Sequence, residues 1–146
     1  YVKTTGSTGL HILLPLGGAL GYEQSRTLAE LLARITVAAL PQIATITRAV
    51  ERRQNKVYID YLQNGHGRLI VAPYSVRPVP GAAVSMPLAW REVRSGLVSQ
   101  RYTIANALRR LRSQRADPWE GLLQQTPDLH AILLRLGERW QAHRPS

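Results

Sequence analysis

The sequence lacks cysteine altogether, and it lacks any long run of apolar residues. Without cysteine the chain can form no disulfide, no thiolate metal site and no cysteine nucleophile. No apolar run approaches the roughly 20 residues that a membrane span needs. No signal-peptide pattern opens the chain either, so we expect a cytoplasmic location and no membrane partner.

Carboxylates are scarce, and cations outnumber them. Asp and Glu number 9 against 19 Lys and Arg, which gives a formal net charge of +10 and a pI near 11.0. This balance favours a polyanionic partner, with nucleic acid or nucleotide before an acidic membrane. Arginine supplies 17 of the 19 cations, and its planar fork can bind phosphate oxygens bidentately. A GC-rich genome would also raise the arginine content, so part of the excess has no functional meaning.

The length and composition are those of one globular domain, residues 1–146. The patterns predict a buried strand at Leu10 to Leu16, a helix over 22–40, a β-hairpin of Val57 to Gln63 with Arg68 to Ala72, an irregular proline-rich loop from Pro73 to Pro87, and helices capped by Thr103, Asp117 and Thr126. This order predicts an α+β fold whose sheet is mostly antiparallel and carries flanking helices.

The stretch "TTGSTGLH" is the first candidate for chemistry. Its small, hydroxylated and glycine residues leave backbone N–H groups free to form an anion-binding nest. It has neither the ending of a P-loop nor the spacing of a dinucleotide fingerprint, so a plain turn before a strand explains the pattern as well. His11, which opens the strand, is either a hydrogen-bonded core residue or a phosphate contact.

The stretch "YIDYLQN" places one carboxylate, Asp60, in an otherwise strand-like segment. Alternation puts it on the same face as Tyr58 and Leu62, where it needs a positive partner or a hydrogen-bond donor. That partner could be an arginine such as Arg68 or Arg77, or a metal ion. No second carboxylate forms a D-x-D pair in the chain, and hard divalent cations usually take more than one. Arg77 itself lies in the stiff proline-rich loop, either aimed at a ligand or solvated.

Three blocks in this order, "KTTGSTGLHILLPL", "VYIDYLQN" and "APYSVRPVPGAAVSMPLAW", resemble the polymerase domain of bacterial DNA ligase D. This is the archaeo-eukaryotic primase-type polymerase of non-homologous end joining. The resemblance spans roughly residues 1–95 and implies that the chain is the C-terminal portion of a primase-type, RRM-like catalytic core. The absent initiating methionine and the start directly at a motif favour a fragment of a longer protein.

The resemblance also implies a function and its alternatives. It implies a nucleotidyltransferase that adds NTPs or dNTPs to DNA ends during repair, by a two-metal mechanism with Mn²⁺ or Mg²⁺. The alternatives are a non-catalytic nucleic-acid-binding remnant, a partner chain of a primase-like protein, and a replicative or plasmid primase. The implied partners are DNA ends, NTP or dNTP, the end-binding protein Ku and a ligase domain, attached or separate. A bacterial, nucleoid-associated location follows from that role.

Site residues follow from the resemblance by position. Asp60 matches the family's third metal carboxylate and Arg53 an arginine that helps order the active centre on DNA, so both are assigned as catalytic. Nucleotide binding is assigned to Thr5, Gly6, Ser7, Thr8, His11, Gln63 and Arg77. Thr8 stands where the family often has lysine, which removes a cation near the phosphates. Because the family's D-x-D motif has no counterpart here, both metal ions would need carboxylates from outside this chain.

Overall fold

A computed structural model describes residues 1–143 and divides the chain into two compact units. The first unit contains Tyr1–Pro15 and Ile70–Gln125; the second contains Leu16–Leu69 and the segment that starts at Thr126. The elements are β1 (Val2–Thr4), β2 (Leu10–Ile12), α1 (Tyr22–Ala39), β3 (Ala44–Thr45), β4 (Val57–Tyr58), β5 (Pro87–Leu88), α2 (Ala107–Ser113) and α3 (Leu129–His143). Short 3-10 helices span Val50–Arg52, Trp90–Glu92 and Leu122–Gln124. The predicted α+β class is confirmed, whereas the single domain over residues 1–146 stays a prediction.

The first unit is built on a three-stranded antiparallel sheet in the order β2-β1-β5. Because β1 is paired along both edges, all three of its residues are buried, including Lys3 at 1% exposure. The hydrophobic core of the unit consists of Val2 from this strand together with Val84, Met86, Leu88, Tyr102 and Ala107. The ionisable side chain of Lys3 therefore begins in the buried centre of the unit.

The proline-rich segment contributes more to the core than a loop would. Its first half folds back on its second half through backbone bonds from the Tyr74 amide to the Ser85 carbonyl and from the Arg77 amide to the Ala83 carbonyl, each 2.7 Å long. The intervening turn is irregular, as its prolines predict. Residues 83–88 are all buried, however, so the second half of the predicted loop forms part of the core.

The second unit is built on α1 and α3, which pack against each other. The carbonyl of the Gln24 side chain accepts the Gly21 amide at 2.9 Å and caps the start of α1. The helix ends shortly before Pro41, which cannot continue it, and its bounds agree with the prediction over 22–40. No helix among residues 1–143 is long and apolar enough to cross a membrane.

Two of the predicted strands are wrong. The strand predicted at Leu10 to Leu16 is only β2, an edge strand whose Ile12 is 62% exposed, so it is not buried. The predicted hairpin is absent from the described chain: β4 ends at Tyr58 and pairs in parallel with β3 instead. The Asp60 carboxylate accepts the Leu62 amide at 3.1 Å, which turns the chain where the strand was expected to continue.

Two predicted caps move by a few residues. The side chain of Asn106 caps the Thr103 amide at 2.9 Å and α2 begins after it, so Thr103 is not the cap. Asp128, rather than Thr126, accepts the Ala131 amide at 3.0 Å near the start of α3. Asp117 does accept the Trp119 amide at 2.9 Å, but the chain beyond it forms a turn and a 3-10 helix.

Candidate functional site

The loop from Thr5 to Gly9 joins β1 to β2 and is organised by one hydroxyl. Thr5 Oγ1 accepts the amides of Ser7 at 3.0 Å and Gly9 at 3.2 Å, and the Thr5 amide donates to the Gly9 carbonyl at 2.9 Å. Within the described residues, the amides of Gly6 and Thr8 have no hydrogen-bond partner. The loop therefore has two unpaired backbone donors, one on the exposed Thr8 and one on the buried Gly6.

Arg77 passes directly over this loop. Gly6 has φ +67°, and a Cβ at that position would lie 2.6 Å from Arg77 Cγ and 3.2 Å from the Ser85 amide nitrogen. Only glycine permits this approach, because any larger residue would meet the arginine stem. Arg77 Nε is buried and has no hydrogen-bond partner. The guanidinium is thus held beside the loop with an unsatisfied donor.

His11, on β2, joins a buried hydrogen-bond chain beside the same loop. Lys3 Nζ lies 2.8 Å from His11 Nδ1 and 2.6 Å from Ser85 Oγ, and Ser85 Oγ donates to the Thr4 carbonyl at 2.9 Å. Burial, followed by the charge of Arg77, lowers the pKa of Lys3 to about 8. Burial, followed by the charges of Lys3 and Arg77, lowers the pKa of His11 as well.

This cationic cluster, defined as Lys3, His11 and Arg77, has no carboxylate partner. Within residues 1–143, Arg34 pairs with Glu30 and Arg110 with Glu92, and neither of these ion pairs involves the cluster. The charge of Arg77 lowers the pKa of Lys3, and the charges of Lys3 and Arg77 lower the pKa of His11; this arrangement is unfavourable unless an anion binds there. Together with the free amides, the cluster suits a group that carries several negative oxygens, such as a phosphate.

Asp60 and Gln63 lie together in the second unit. The Gln63 amide donates to Asp60 Oδ2 at 3.4 Å, and both side chains are exposed. Of the two arginines considered as partners, Arg68 lies in the same unit, and it forms no ion pair with Asp60 in the described chain. Its partners are the Leu62 amide and Gln63, which leave lone pairs free.

The guanidinium of Arg53 is hydrogen-bonded to residues of its own unit. Its guanidinium donates to the carbonyls of Thr47 at 3.1 Å and Arg48 at 2.8 Å, and it stacks 4.0 Å from the centre of the Tyr58 ring. These contacts tie the segment before β4 to the end of that strand. Arg53 therefore fixes the backbone shortly before Asp60.

The described residues do not make up a metal site by themselves. No group of three His, Asp or Glu side chains in residues 1–143 is placed to hold a cation. Asp60 fits as one oxygen ligand, because it is exposed and only partly hydrogen-bonded, but a hard divalent cation needs further carboxylates.

Comparison with known proteins decides the family. A family model described as "LigD, primase-polymerase domain" matches residues 1–119. The chain belongs to this primase-polymerase family. The resemblance predicted from the three sequence blocks is thereby confirmed.

Individual relatives of the LigD family agree with this assignment. The chain is 36% identical over 115 residues to the Bacillus subtilis bifunctional non-homologous end joining protein LigD, covering 78% of this chain and 19% of that protein. It is 29% identical over 120 residues to the multifunctional LigD of Pseudomonas aeruginosa, covering 82% of this chain and 14% of that protein. The chain thus spans less than a fifth of the length of these curated relatives.

A solved structure matches the fold. The polymerase domain from Mycobacterium tuberculosis ligase D, in complex with DNA, superposes with a TM-score of 0.76 and 29% identity over 86% of this chain. The match covers 43% of that structure's chain.

Sequence reasoning overlooked two residues of the site, Lys3 and Ser85. Lys3 is one of only two lysines in the chain, among 17 arginines, and it immediately precedes the stretch "TTGSTGLH". A lysine in an arginine-rich chain was the one indication of a special role for position 3, although a lysine usually indicates an exposed position. Ser85 carried no signal, because its contact with Lys3 spans most of the chain.

Proposed function

We propose that this chain is the nucleotide-binding portion of a polymerase that adds NTPs or dNTPs to DNA ends in non-homologous end joining. The observation that carries the proposal is the cationic cluster beside a loop with two free amides, with no carboxylate of the described chain to neutralise it. Its family supports the proposal, as do relatives whose names contain end joining and a solved neighbour that holds DNA.

In this proposal the triphosphate of the incoming nucleotide occupies the cluster. Arg77 would bind phosphate oxygens with its guanidinium fork, and the amides of Gly6 and Thr8 would donate to others. His11 would add a further donor. Thr8 is exposed and uncharged, so the electrostatic attraction in this chain would rest mainly on Arg77 and Lys3.

Asp60 is proposed as one ligand of a Mn²⁺ or Mg²⁺ site whose other carboxylates come from outside this chain. Such cations, when bound, neutralise charge on the phosphoryl group that is transferred. Gln63 would orient the Asp60 carboxylate through their shared hydrogen bond. Arg53 would fix the preceding backbone through Thr47 and Arg48, which gives it a positioning role.

The test is nucleotide titration of the intact protein that contains this chain. Charge-assisted hydrogen bonds contribute about 1.5–3 kcal/mol each, so Arg77→Ala should weaken nucleotide binding about ten- to a hundredfold. Arg26→Ala is the matched control, because it removes the same charge from an exposed position in α1 and should leave the affinity unchanged. If Arg77→Ala and His11→Ala both bind nucleotide as the unmodified protein does, the cluster is not the triphosphate site.

A non-catalytic nucleic-acid-binding domain is the second candidate. It is favoured by the lack of a metal-binding cluster among residues 1–143. The net charge of +10 would suffice for weak binding to DNA phosphates. The two candidates differ in whether Asp60 is needed for nucleotide addition.

A further inference from the structure

The bond between Lys3 and His11 fixes where the protons are. Ser85 Oγ donates its hydrogen to the Thr4 carbonyl at 2.9 Å, so it accepts from Lys3 Nζ at 2.6 Å. An ammonium group has three donors and no acceptor. With Lys3 protonated, His11 Nδ1, 2.8 Å away, must therefore be the acceptor of the bond between them.

An acceptor at Nδ1 leaves one state for the imidazole. The neutral ring then carries its proton on Nε2, because each neutral histidine has one donor and one acceptor nitrogen. The doubly protonated ring is disfavoured, since a hydrogen on Nδ1 would face the ammonium of Lys3. The charges that act on His11 are those of Lys3 and Arg77, and both oppose a positive ring.

We propose that Lys3 is a positioning residue, which holds His11 as a neutral imidazole with Nε2–H as its only donor for a phosphate oxygen of the bound nucleotide. The inference rests on the proposed function for the identity of that ligand. The tautomer itself rests only on the hydrogen bond from the protonated Lys3 to His11. His11 then contributes a directed bond that does not depend on ring protonation near neutral pH.

This role differs from that of a lysine that binds phosphate directly. Lys3 is 1% exposed and lies on the central strand, and two of its three hydrogens are directed at His11 and Ser85. Its charge contributes to the field at the site, but its hydrogen bonds orient the imidazole. The first effect of removing Lys3 should therefore be a change in the tautomer of His11.

The first measurement uses the intact, unmodified protein with ¹⁵N-labelled histidine. We expect the ring signals of His11, assigned by their loss in His11→Gln, to show an unprotonated Nδ1 and a protonated Nε2 between about pH 6.5 and 7.5. A proton on Nδ1 in that interval, in either the other tautomer or the imidazolium, would overturn the proposal. This spectrum requires neither nucleotide binding nor catalysis.

The second measurement uses Lys3→Met, which keeps an unbranched stem but removes the donors and the charge. We expect a mixture of His11 tautomers, a higher pKa of the ring, and nucleotide binding weakened about two- to tenfold at pH 7, the range of one hydrogen bond. Ser85→Ala is the control, because Lys3 can still donate to His11 and the tautomer should be unchanged. A Lys3→Met spectrum identical to that of the unmodified protein would refute the role of Lys3.

The two proposals fail in different ways. If the unmodified protein shows the expected tautomer but does not bind nucleotide, the proposed function is wrong and the positioning role of Lys3 loses its ligand. If nucleotide binds but His11 carries its proton on Nδ1, the proposed function stands and the inference is wrong. Should Lys3→Met fail to fold, the spectrum of the unmodified protein still decides.

Discussion

Replacing Gly6 with alanine should separate the fold of the loop from the placement of Arg77. Gly6 has φ +67°, a conformation that costs about 1–2 kcal/mol for a residue with a Cβ. The new methyl would also lie 2.6 Å from Arg77 Cγ and 3.2 Å from two backbone atoms, Val84 C and Ser85 N. Val84 and Ser85 are buried, so we expect the arginine side chain to move rather than their backbone.

The magnitude of the functional effect follows from that displacement. If the guanidinium leaves the proposed phosphate site, the loss equals that of a charge-assisted hydrogen bond, about 1.5–3 kcal/mol. Nucleotide affinity should then fall about ten- to a hundredfold in Gly6→Ala. The melting temperature should fall as well, because the positive φ is strained in every alanine variant of this kind.

Gly96→Ala provides the matched control. Gly96 has φ +82° in the same unit, and a Cβ there would meet no atom within 4 Å. This variant should show the destabilisation from backbone strain and keep its nucleotide affinity. The comparison, made by thermal unfolding and nucleotide titration of the intact protein, isolates the contact with Arg77.

A double mutant gives the decisive result. In an Arg77→Ala background, Gly6→Ala should cause little further loss of affinity, because the displaced group is already missing. If Gly6→Ala lowers the affinity equally in both backgrounds, the loss does not depend on Arg77. The close approach of Arg77 to Gly6 would then be refuted as its cause.

Two further predictions concern single side chains. Asp60→Asn should abolish primer extension by the intact protein and leave its fold and DNA binding in place, since only the charge of the proposed metal ligand is removed; extension at an unchanged rate would show that Asp60 is not a metal ligand of the reaction. Burial lowers the pKa of Lys3 from 10.5 to about 8, so the unfolded chain binds more protons between these pH values and the free energy of unfolding rises with pH there. The contribution of Lys3 to this rise in the free energy of unfolding should reach about 3 kcal/mol. Denaturant unfolding at pH 7 and pH 10 should show the rise in the unmodified protein, and the contribution of Lys3 should be missing in Lys3→Met.

The parts of the site that lie in one continuous stretch could be predicted from the sequence. The loop of small residues is visible in "TTGSTGLH", because glycine and hydroxyl side chains at such density indicate a turn, whether or not it binds an anion. Only the family resemblance assigned Arg77 and Gly6 to one site; the residue pattern did not predict their approach, since it depends on how the proline-rich segment folds back onto β1. Alternation and local composition contain no information about that long-range approach.

The failed hairpin has a local physical reason. Val57 to Gln63 alternates as a strand does, but the Asp60 side chain binds the Leu62 amide and competes with the ladder. The segment also found its partner in Ala44–Thr45, which is too short to show a periodic pattern. α1, in contrast, was predicted closely because its apolar residues repeat over several turns and Pro41 limits its end.

The buried position of Lys3 has a consequence for how this sequence can drift. In a chain that uses arginine for 17 of its 19 cations, a single-base change can turn a lysine codon into an arginine codon. At position 3 the result would be a wide, planar guanidinium in a space where a compact ammonium reaches two partners at 2.8 Å and 2.6 Å. The substitution bias that enriches arginine elsewhere in the chain should therefore not act at position 3, and the lysine should be retained because the larger guanidinium does not fit there.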